Sequence, residues 1–376
     1  MDLAIVSLKG KSSEMIARAA AKHFEKVSSF DLRNIRVDVN REGSAVIHED
    51  KNLGEYDCVY LRGSYQYADL LTSIAIALKG KVYMPLDPDS FLISHNKFLT
   101  EVKLKEDGIP FPVTHLVYKT EMAKNLARNF KYPVVFKTLA GTHGKGVMFA
   151  DSIESANSLI DMLEKMREPF LIQEFIETGA TDIRAVVIGQ EVISMQRTAR
   201  AGELRAGIHS GGEGRKIELS YEDKQIAKKA AKALKADIIA VDLLKGPTRT
   251  VVTEVNTSPG IVGLTAATKM DVAGEIASAL YKKTREFIAE KEGNKYLLDL
   301  SGVGDSIGSG LENAKEQITK LVIKAGRIIL PPTLTENTDF EPDEPVKIKI
   351  EKDRIEVERL HASGSSERPK KVKVRR

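Results

Sequence analysis

At 376 residues the chain is long enough for two or three domains, and 42% hydrophobic with 29% charged residues places it among ordinary soluble proteins. The formal net charge of +4 belongs to the end of the chain: Arg368 to Arg376 hold six basic side chains and no acid, which leaves 51 basic against 53 acidic residues elsewhere and excludes the body as a general polyanion binder. The single cysteine, Cys58, excludes an intramolecular disulfide and a cysteine-based zinc site; with no signal peptide and no spanning apolar stretch, a cytoplasmic protein without membrane contact is expected.

Residues 1 to about 95 alternate strand and helix. Leu3 to Val6 reads as a buried strand, Ser12 to Phe24 as a helix, Val59 to Leu61 as a strand, Ala68 to Leu78 as a helix, and Lys81 to Met84 as a strand ended by Pro85. This rhythm predicts a parallel sheet covered by helices. No Gly-x-Gly-x-x-Gly follows the first strand, so a dinucleotide site is unsupported. Arg62-Gly63, just past a strand end, is either ligand-facing or plain surface loop.

The next unit opens with a helix from Asn96 to Asp107, stopped by Gly108-Ile109-Pro110. A helix at Glu121 to Phe130 precedes the strand Tyr132 to Lys137, then Ala140-Gly141-Thr142-His143-Gly144-Lys145-Gly146-Val147 packs three glycines into six residues. A helix (Ile153 to Met166), a strand (Phe170 to Phe175) and a hairpin (Asp182 to Ile188, Glu191 to Arg197, turning at Gly189-Gln190) follow. Thr198 to Arg215 reads as loop and carries Arg200, Arg205, His209 and Arg215. The helix Tyr221 to Leu234 leads to a second hairpin, Ile239 to Leu244 and Val251 to Gly260, and Asp271 to Glu292 reads as a closing helix. Gly302, Gly304, Gly308 and Gly310 mark a linker. A short helix (Leu311 to Val322), a strand (Arg327 to Pro331) and a hairpin (Val346 to Ile350, Ile355 to Glu358, turning at Lys352-Asp353) follow, and residues from Ala362 onward read as disordered.

Three constellations carry chemistry. In the strand ending at Asn256, Glu254 and Asn256 lie two apart and share a face, and Asp242 on the partner strand can face the same side. Two carboxylates and an amide oxygen suit Mg²⁺ or Mn²⁺; a half-exposed strand that carries acids gives the same letters. Gly141, Gly144 and Gly146 offer bare backbone N–H groups to phosphates, with Thr142, His143 and Lys145 as further donors, although a glycine turn reads identically and no Walker loop is present. Lys137 at a strand end and Lys97 at a helix start are point charges for phosphate or solvated lysines.

The succession of these elements from Lys97 to Gly260 resembles the ATP-grasp superfamily, and within it the RimK-type amino-acid ligases. The matching stretches are Val135-Phe136-Lys137, Gly141 to Val147, Gln173-Glu174-Phe175-Ile176, Asp182-Ile183-Arg184, Ala240-Val241-Asp242 and Glu254-Val255-Asn256-Thr257-Ser258-Pro259-Gly260. The resemblance covers roughly residues 1 to 290. It implies an α/β, ATP-grasp fold: a Rossmann-like pre-ATP-grasp domain at 1–95 and an ATP-grasp domain at 96–292, with a lid subdomain at about 110–175 and a core at about 176–292. A linker at 293–310, a small, mostly β domain at 311–361 and a basic tail at 362–376 complete the expected order.

The resemblance further implies that Lys97 and Lys137 contact ATP phosphates under the Gly141–Gly146 loop, while Glu174 and Phe175 line the adenine pocket. Asp182 would lie on the ribose side, Arg184 and Arg205 at the reacting phosphate or carboxylate, and Asp242, Glu254 and Asn256 would hold two Mg²⁺ (or Mn²⁺) ions. The implied activity is ATP-dependent amide formation between an acceptor carboxylate (protein tail, coenzyme or metabolite) and an amino acid or other amine, in a homo-oligomer. Where the glutamate ligases typically show Arg-Ser-Asn, this chain reads Arg205-Ala206-Gly207. A different class stays open: a non-catalytic, ATP-binding or nucleic-acid-associated regulator, working through its C-terminal domain, with the basic tail on nucleic acid or ribosome.

Overall fold

The computed structural model describes residues 1–41, 43–139, 146–199 and 213–303, and the backbone of five later strands within 322–375. Contacts divide the chain into two units, Met1–Ala289 and Glu290–Arg376.

The first unit begins with β1 (Asp2–Ser7), α1 (Lys11–Ala20), β2 (Lys26–Asp31), β3 (Ile35–Asn40), β4 (Gly43–His48), β5 (Lys51–Asn52) and β6 (Cys58–Leu61). β2, β1 and β6 form the parallel sheet in that order, and β3, β4 and β5 make a small antiparallel sheet outside the sequence-based expectation, although Ile35 to Asn40 alternates apolar and polar residues. β1 and β6 are apolar and buried along most of their length, as a strand covered on both faces must be. The strand expected at Lys81 to Met84 shrinks to one bridge, Tyr83 beside Cys58, because the chain turns through Gly80 before it and at Pro85 after it. α2 (Ala68–Leu78), α3 (Pro88–His95) and α4 (Lys97–Glu106) follow. Asn96 caps α4, its Oδ1 accepting from the N–H groups of Phe98 and Leu99, so Lys97 sits in the first helical position.

β7 (Thr114–Val117), α5 (Thr120–Ala127), β8 (Val134–Thr138), β9 (Val147–Ala150), α6 (Ile153–Glu164) and β10 (Phe170–Glu174) build a four-stranded antiparallel sheet, ordered β7-β10-β8-β9. Its apolar cluster is its own: Val117, Ala127, Val134, Phe136, Ile160, Leu163, Phe170 and Ile172 pack under α5 and α6. A second sheet is ordered β13-β12-β11-β14-β15, from β11 (Thr181–Ile188), β12 (Glu191–Thr198), β13 (Glu213–Lys216), β14 (Ile238–Lys245) and β15 (Thr250–Asn256), with α7 (Tyr221–Ala233) between β13 and β14. Arg215, expected in a loop, therefore lies on an edge strand; all four β13 residues are exposed, so no hydrophobic alternation marks them. Buried residues of this sheet, of the parallel sheet and of α1 to α4 belong to one continuous core.

α8 (Val262–Thr268) leads to α9 (Val272–Val303), which carries helix past Glu292 into the expected linker. The chain from Tyr296 to Leu300 is rich in helix formers, and that outweighs the isolated Gly293. In the second unit, β16 (Val322–Lys324) pairs with β17 (Arg327–Ile329), and β18 (Val346–Glu351), β19 (Arg354–Arg359) and β20 (Val372–Arg375) form a three-stranded sheet. Val322 is thus strand rather than helix end. The tail is not structureless throughout either: Val372-Lys373-Val374-Arg375 alternates apolar and basic residues, the period a third strand needs. Among the described residues no helix is long and apolar enough to cross a membrane.

Phe136 is fully buried and its ring centroid lies 6.2 Å from that of Phe170. Phe136→Ala is expected to destabilise the protein by about 3–5 kcal/mol, read by denaturant unfolding; a loss under about 1 kcal/mol would mean that the small cluster does not depend on this ring.

Candidate functional site

One face of the five-stranded sheet carries a row of alternating charges. Register sets it: Asp182 lies opposite Arg197, Arg184 opposite Asp242, and Asp242 opposite Glu254. Arg184 donates to both oxygens of Asp242, at 2.8 and 2.6 Å. Arg197 grips Asp182 through Nε and Nη2 and donates from Nη2 to Asp242 Oδ2 at 2.9 Å. Arg197 and Asp242 are almost completely buried, 6% and 5% exposed. Burial alone would raise the Asp242 pKa; two guanidiniums on its oxygens hold it well below the usual carboxylate range. Glu254, half-buried, moves the other way. Burial and the charge of Asp242 raise its pKa, and among the described residues no hydrogen bond or ion pair reaches its carboxylate.

The pairing of β14 with β15 is interrupted just there. Asp242 faces Glu254 but Leu243 faces Val252, so Thr253 is an extra residue, a β-bulge. The hydroxyl of Thr253 accepts a hydrogen bond from Lys137 Nζ at 3.2 Å, joining the four-stranded sheet to the five-stranded one. Lys137 is 8% exposed, and burial pushes its pKa down to about 8 against the opposing pull of Glu101 and Glu254. Lys97 is lowered by burial too, with Glu254 acting against the shift. Both lysines thus converge electrostatically on Glu254.

Asn256 ends β15, and its Oδ1 accepts from the N–H of Ser258, so the amide oxygen shapes its own turn and keeps one lone pair. Buried Arg62 holds that turn from the parallel sheet. It donates to the carbonyl of Pro259 at 2.8 Å, to Tyr60 Oη and to Ser13 Oγ, while Ser258 Oγ accepts from the N–H of Gly63. Arg62-Gly63 is therefore a structural clamp on the turn, not a surface loop.

At the other end of the site, the Glu174 carboxylate accepts from the N–H of Val113 at 2.9 Å and pairs with Arg249, so its side chain anchors the end of β10. Phe175 meets Phe149 of β9 edge to face, at 6.0 Å between centroids, and makes an aromatic wall. Gly146 needs to be glycine: its φ is +79°, and a Cβ would come within 2.2 Å of Thr138 Oγ1. Gly141, Thr142, His143, Gly144, Lys145 and Arg205 lie outside the described residues, as do Arg200 and His209.

The structure thus brings together Lys97, Lys137, Asp182, Arg184, Asp242 and Glu254, with Asn256 at the end of the same strand. Among the described residues there is no cluster of three or more His, Cys, Asp or Glu side chains placed to hold a metal. A hard cation nevertheless fits the chemistry of Asp242 and Glu254: two carboxylates face each other across a strand pair, and among the described residues no donor reaches that of Glu254. Sequence reasoning passed over Arg197, although the turn at Gly189-Gln190 fixes one-to-one pairing that sets it opposite Asp182. It also passed over Glu101 and Gln173. A Glu among the lysines of α4 looks like a solvated helix face, and nothing in the spacing separates buried Glu101 from exposed Glu106.

Comparison with known proteins gives a consistent match. The RimK-like ATP-grasp domain model matches residues 94–280. A probable alpha-L-glutamate ligase of Cellvibrio japonicus is 30% identical over 300 residues, covering 78% of this chain and 99% of that protein. One of Mannheimia succiniciproducens is 35% identical over 257 residues, covering 66% and 86%. A counterpart from Legionella pneumophila (strain Corby) is 39% identical over 195 residues, and the match spans 51% of this chain and 65% of that protein. Among solved structures, the ATP-grasp ligase PsnB complexed with minimal precursor superposes with TM-score 0.60 at 18% identity, covering 75% of this chain and 98% of that one. A RimK domain ATP-grasp protein from Sphaerobacter thermophilus gives 0.57 at 17% identity, covering 74% and 99%.

Removing Arg197 would leave half-buried Asp182 without its guanidinium and take one of two from buried Asp242. Arg197→Ala is expected to lower stability by about 3–5 kcal/mol in urea unfolding; a change below about 1 kcal/mol would show that Arg184 alone supports the row.

Proposed function

The chain belongs to the RimK-like ATP-grasp family, and from that premise we propose that it is an ATP-dependent carboxylate–amine ligase. The single observation that carries the reading is the opposition of Asp242 and Glu254 on β14 and β15, with Lys97 and Lys137 converging electrostatically on Glu254. Carboxylates next to largely desolvated lysines are what a magnesium–polyphosphate substrate needs: donors for the ion, point charges for the phosphates.

In this reading a substrate carboxylate attacks the γ-phosphate of ATP, giving an acyl-phosphate and ADP, and an amine then displaces phosphate to leave an amide. Lys97 and Lys137 neutralise phosphate charge, helped by backbone N–H groups of the Gly141–Gly146 loop with Thr142, His143 and Lys145. Glu174 and Phe175 border the adenine, Phe175 with its ring and Glu174 by fixing the end of β10. Arg184 and Arg205 act on the reacting phosphate or carboxylate. Asp182 works through Arg197, which orients Asp242. Asp242, Glu254 and Asn256 would hold two Mg²⁺ ions, which supply Lewis-acid charge to the phosphate oxygens when bound. Positioning and charge do this work without a protein nucleophile. The amine is an amino acid of the glutamate class, in line with the alpha-L-glutamate ligase relatives.

The test is ADP release with ATP and Mg²⁺ across the twenty amino acids, alone and with pooled cytosolic metabolites, followed by mass spectrometry of any hit. Amine-dependent release with a matching mass gain is expected; nucleotide binding without turnover in any mixture would instead favour a regulator. Glu254→Ala should reduce release by on the order of 10³-fold, and unaltered turnover would overturn the metal assignment.

Affinity for Mg·ADP should fall as pH rises through about 8, because deprotonation of Lys137 removes a cation from the phosphates. Lys137→Arg, protonated throughout, should flatten that fall in calorimetric titrations from pH 7 to 9.

A further inference from the structure

The floor of the site holds a buried acid that the mechanism above leaves idle. Glu101 lies one turn after Lys97 on α4 and is 5% exposed. Its Oε1 accepts from Gln173 Nε2 at 2.7 Å, and the same nitrogen donates to Thr114 Oγ1 at 2.7 Å. Gln173 is itself 2% exposed, so the carboxylate is pinned from one side in a closed network. Its Oε2 is buried without a hydrogen-bond partner among the described residues. Leaving a buried carboxylate oxygen unpaired costs folding free energy, and an apolar side chain at this helix position would avoid it.

The geometry indicates what the oxygen serves. Gln173 and Leu171 point to one face of the four-stranded sheet; Leu171 lies opposite Lys137, and Gln173 opposite Val135, so Lys137 projects from the same face as Gln173. The ammonium of Lys137 donates to Thr253 on the other sheet and feels the charge of Glu101. A lysine has four rotatable bonds and about 2 kcal/mol of rotamer entropy to lose on binding a phosphate. The Thr253 acceptor on one side and the Glu101 charge acting from α4 restrict that freedom beforehand.

We propose that Glu101 is a positioning residue for Lys137: together with the Thr253 acceptor, its buried carboxylate pre-orients the ammonium for a nucleoside di- or triphosphate. Gln173 is the strut that holds Glu101 in place. The inference rests on the nucleotide-binding reading of the site and adds to it a residue outside the Lys97, Lys137 and Asp242/Glu254 set.

Glu101→Gln keeps the shape and removes the charge. The probe is Mg·ADP, titrated calorimetrically into the full chain, with Glu106→Gln on the exposed side of α4 as control. Glu101→Gln is expected to raise the Kd for ADP, and the KM for ATP in turnover, by about tenfold, while the KM for the amine stays unchanged. Its melting temperature should match or exceed that of the wild type, since a buried charge has gone; a merely structural residue would lose stability and all kinetic parameters together. In a Lys137→Met background the substitution should change the Kd less than twofold, because its target is missing. ADP affinity within twofold of the wild type, or an undiminished effect in the Lys137→Met background, would overturn the inference and leave the ligase reading standing. A wild-type chain that does not bind Mg·ADP would overturn both.

Discussion

Arg197 is the point on which the charged face of the five-stranded sheet depends. Two acids, Asp182 and Asp242, project from adjacent strands into space from which water is largely excluded, and neither could remain ionised there alone. One guanidinium, planar and with five N–H donors, can bind one carboxylate in a fork and still reach the next. A lysine could not span both. With Arg184 closing the other side of Asp242, the acids are fixed in direction and charge before any ligand arrives, so the site need not reorganise its own dipoles to meet one.

Four other charged groups stand out against that satisfied row. Among the described residues no hydrogen bond reaches the carboxylate of Glu254 or Oε2 of Glu101, while burial lowers the pKa of Lys137 and of Lys97. A folded protein optimised only for stability would replace charges in such a place with apolar residues. Their persistence in one place, between two sheets that have separate apolar clusters, marks a seam tuned for a charged guest rather than for packing.

Much of this was legible in the chain. The hairpin Asp182 to Arg197 declares itself by period-two alternation and a Gly-Gln turn, and the pair Asp242 and Glu254 by a short, β-branched hairpin. The bulge at Thr253 was not legible, since a bulge changes register without changing composition. Glu101 was hidden because Lys-Glu-rich helices normally face water, and only tertiary burial reveals otherwise. β5 and β13 are short or exposed strands held by backbone pairing, which leaves little trace in side-chain patterning, whereas the alternation of Ile35 to Asn40 in β3 was there to be read. Arg205 and most of the glycine loop fall outside the described residues, so their roles rest on the family resemblance.

The clamp made by Arg62 bears on modularity. The matched family segment starts at residue 94, yet the turn that closes β15 is fastened by Ser12, Ser13, Tyr60, Arg62 and Gly63, and one apolar core joins Leu3 to Ile109 with Ile183 to Leu280. The unit that can be recognised by sequence and the unit that can fold are therefore different lengths of chain. A transplant of residues 94–280 into another scaffold would carry the chemical letters of the site but lose the floor on which its last strand rests. Any chimera that preserves the site has to cut before β1 or else bring a replacement for that floor.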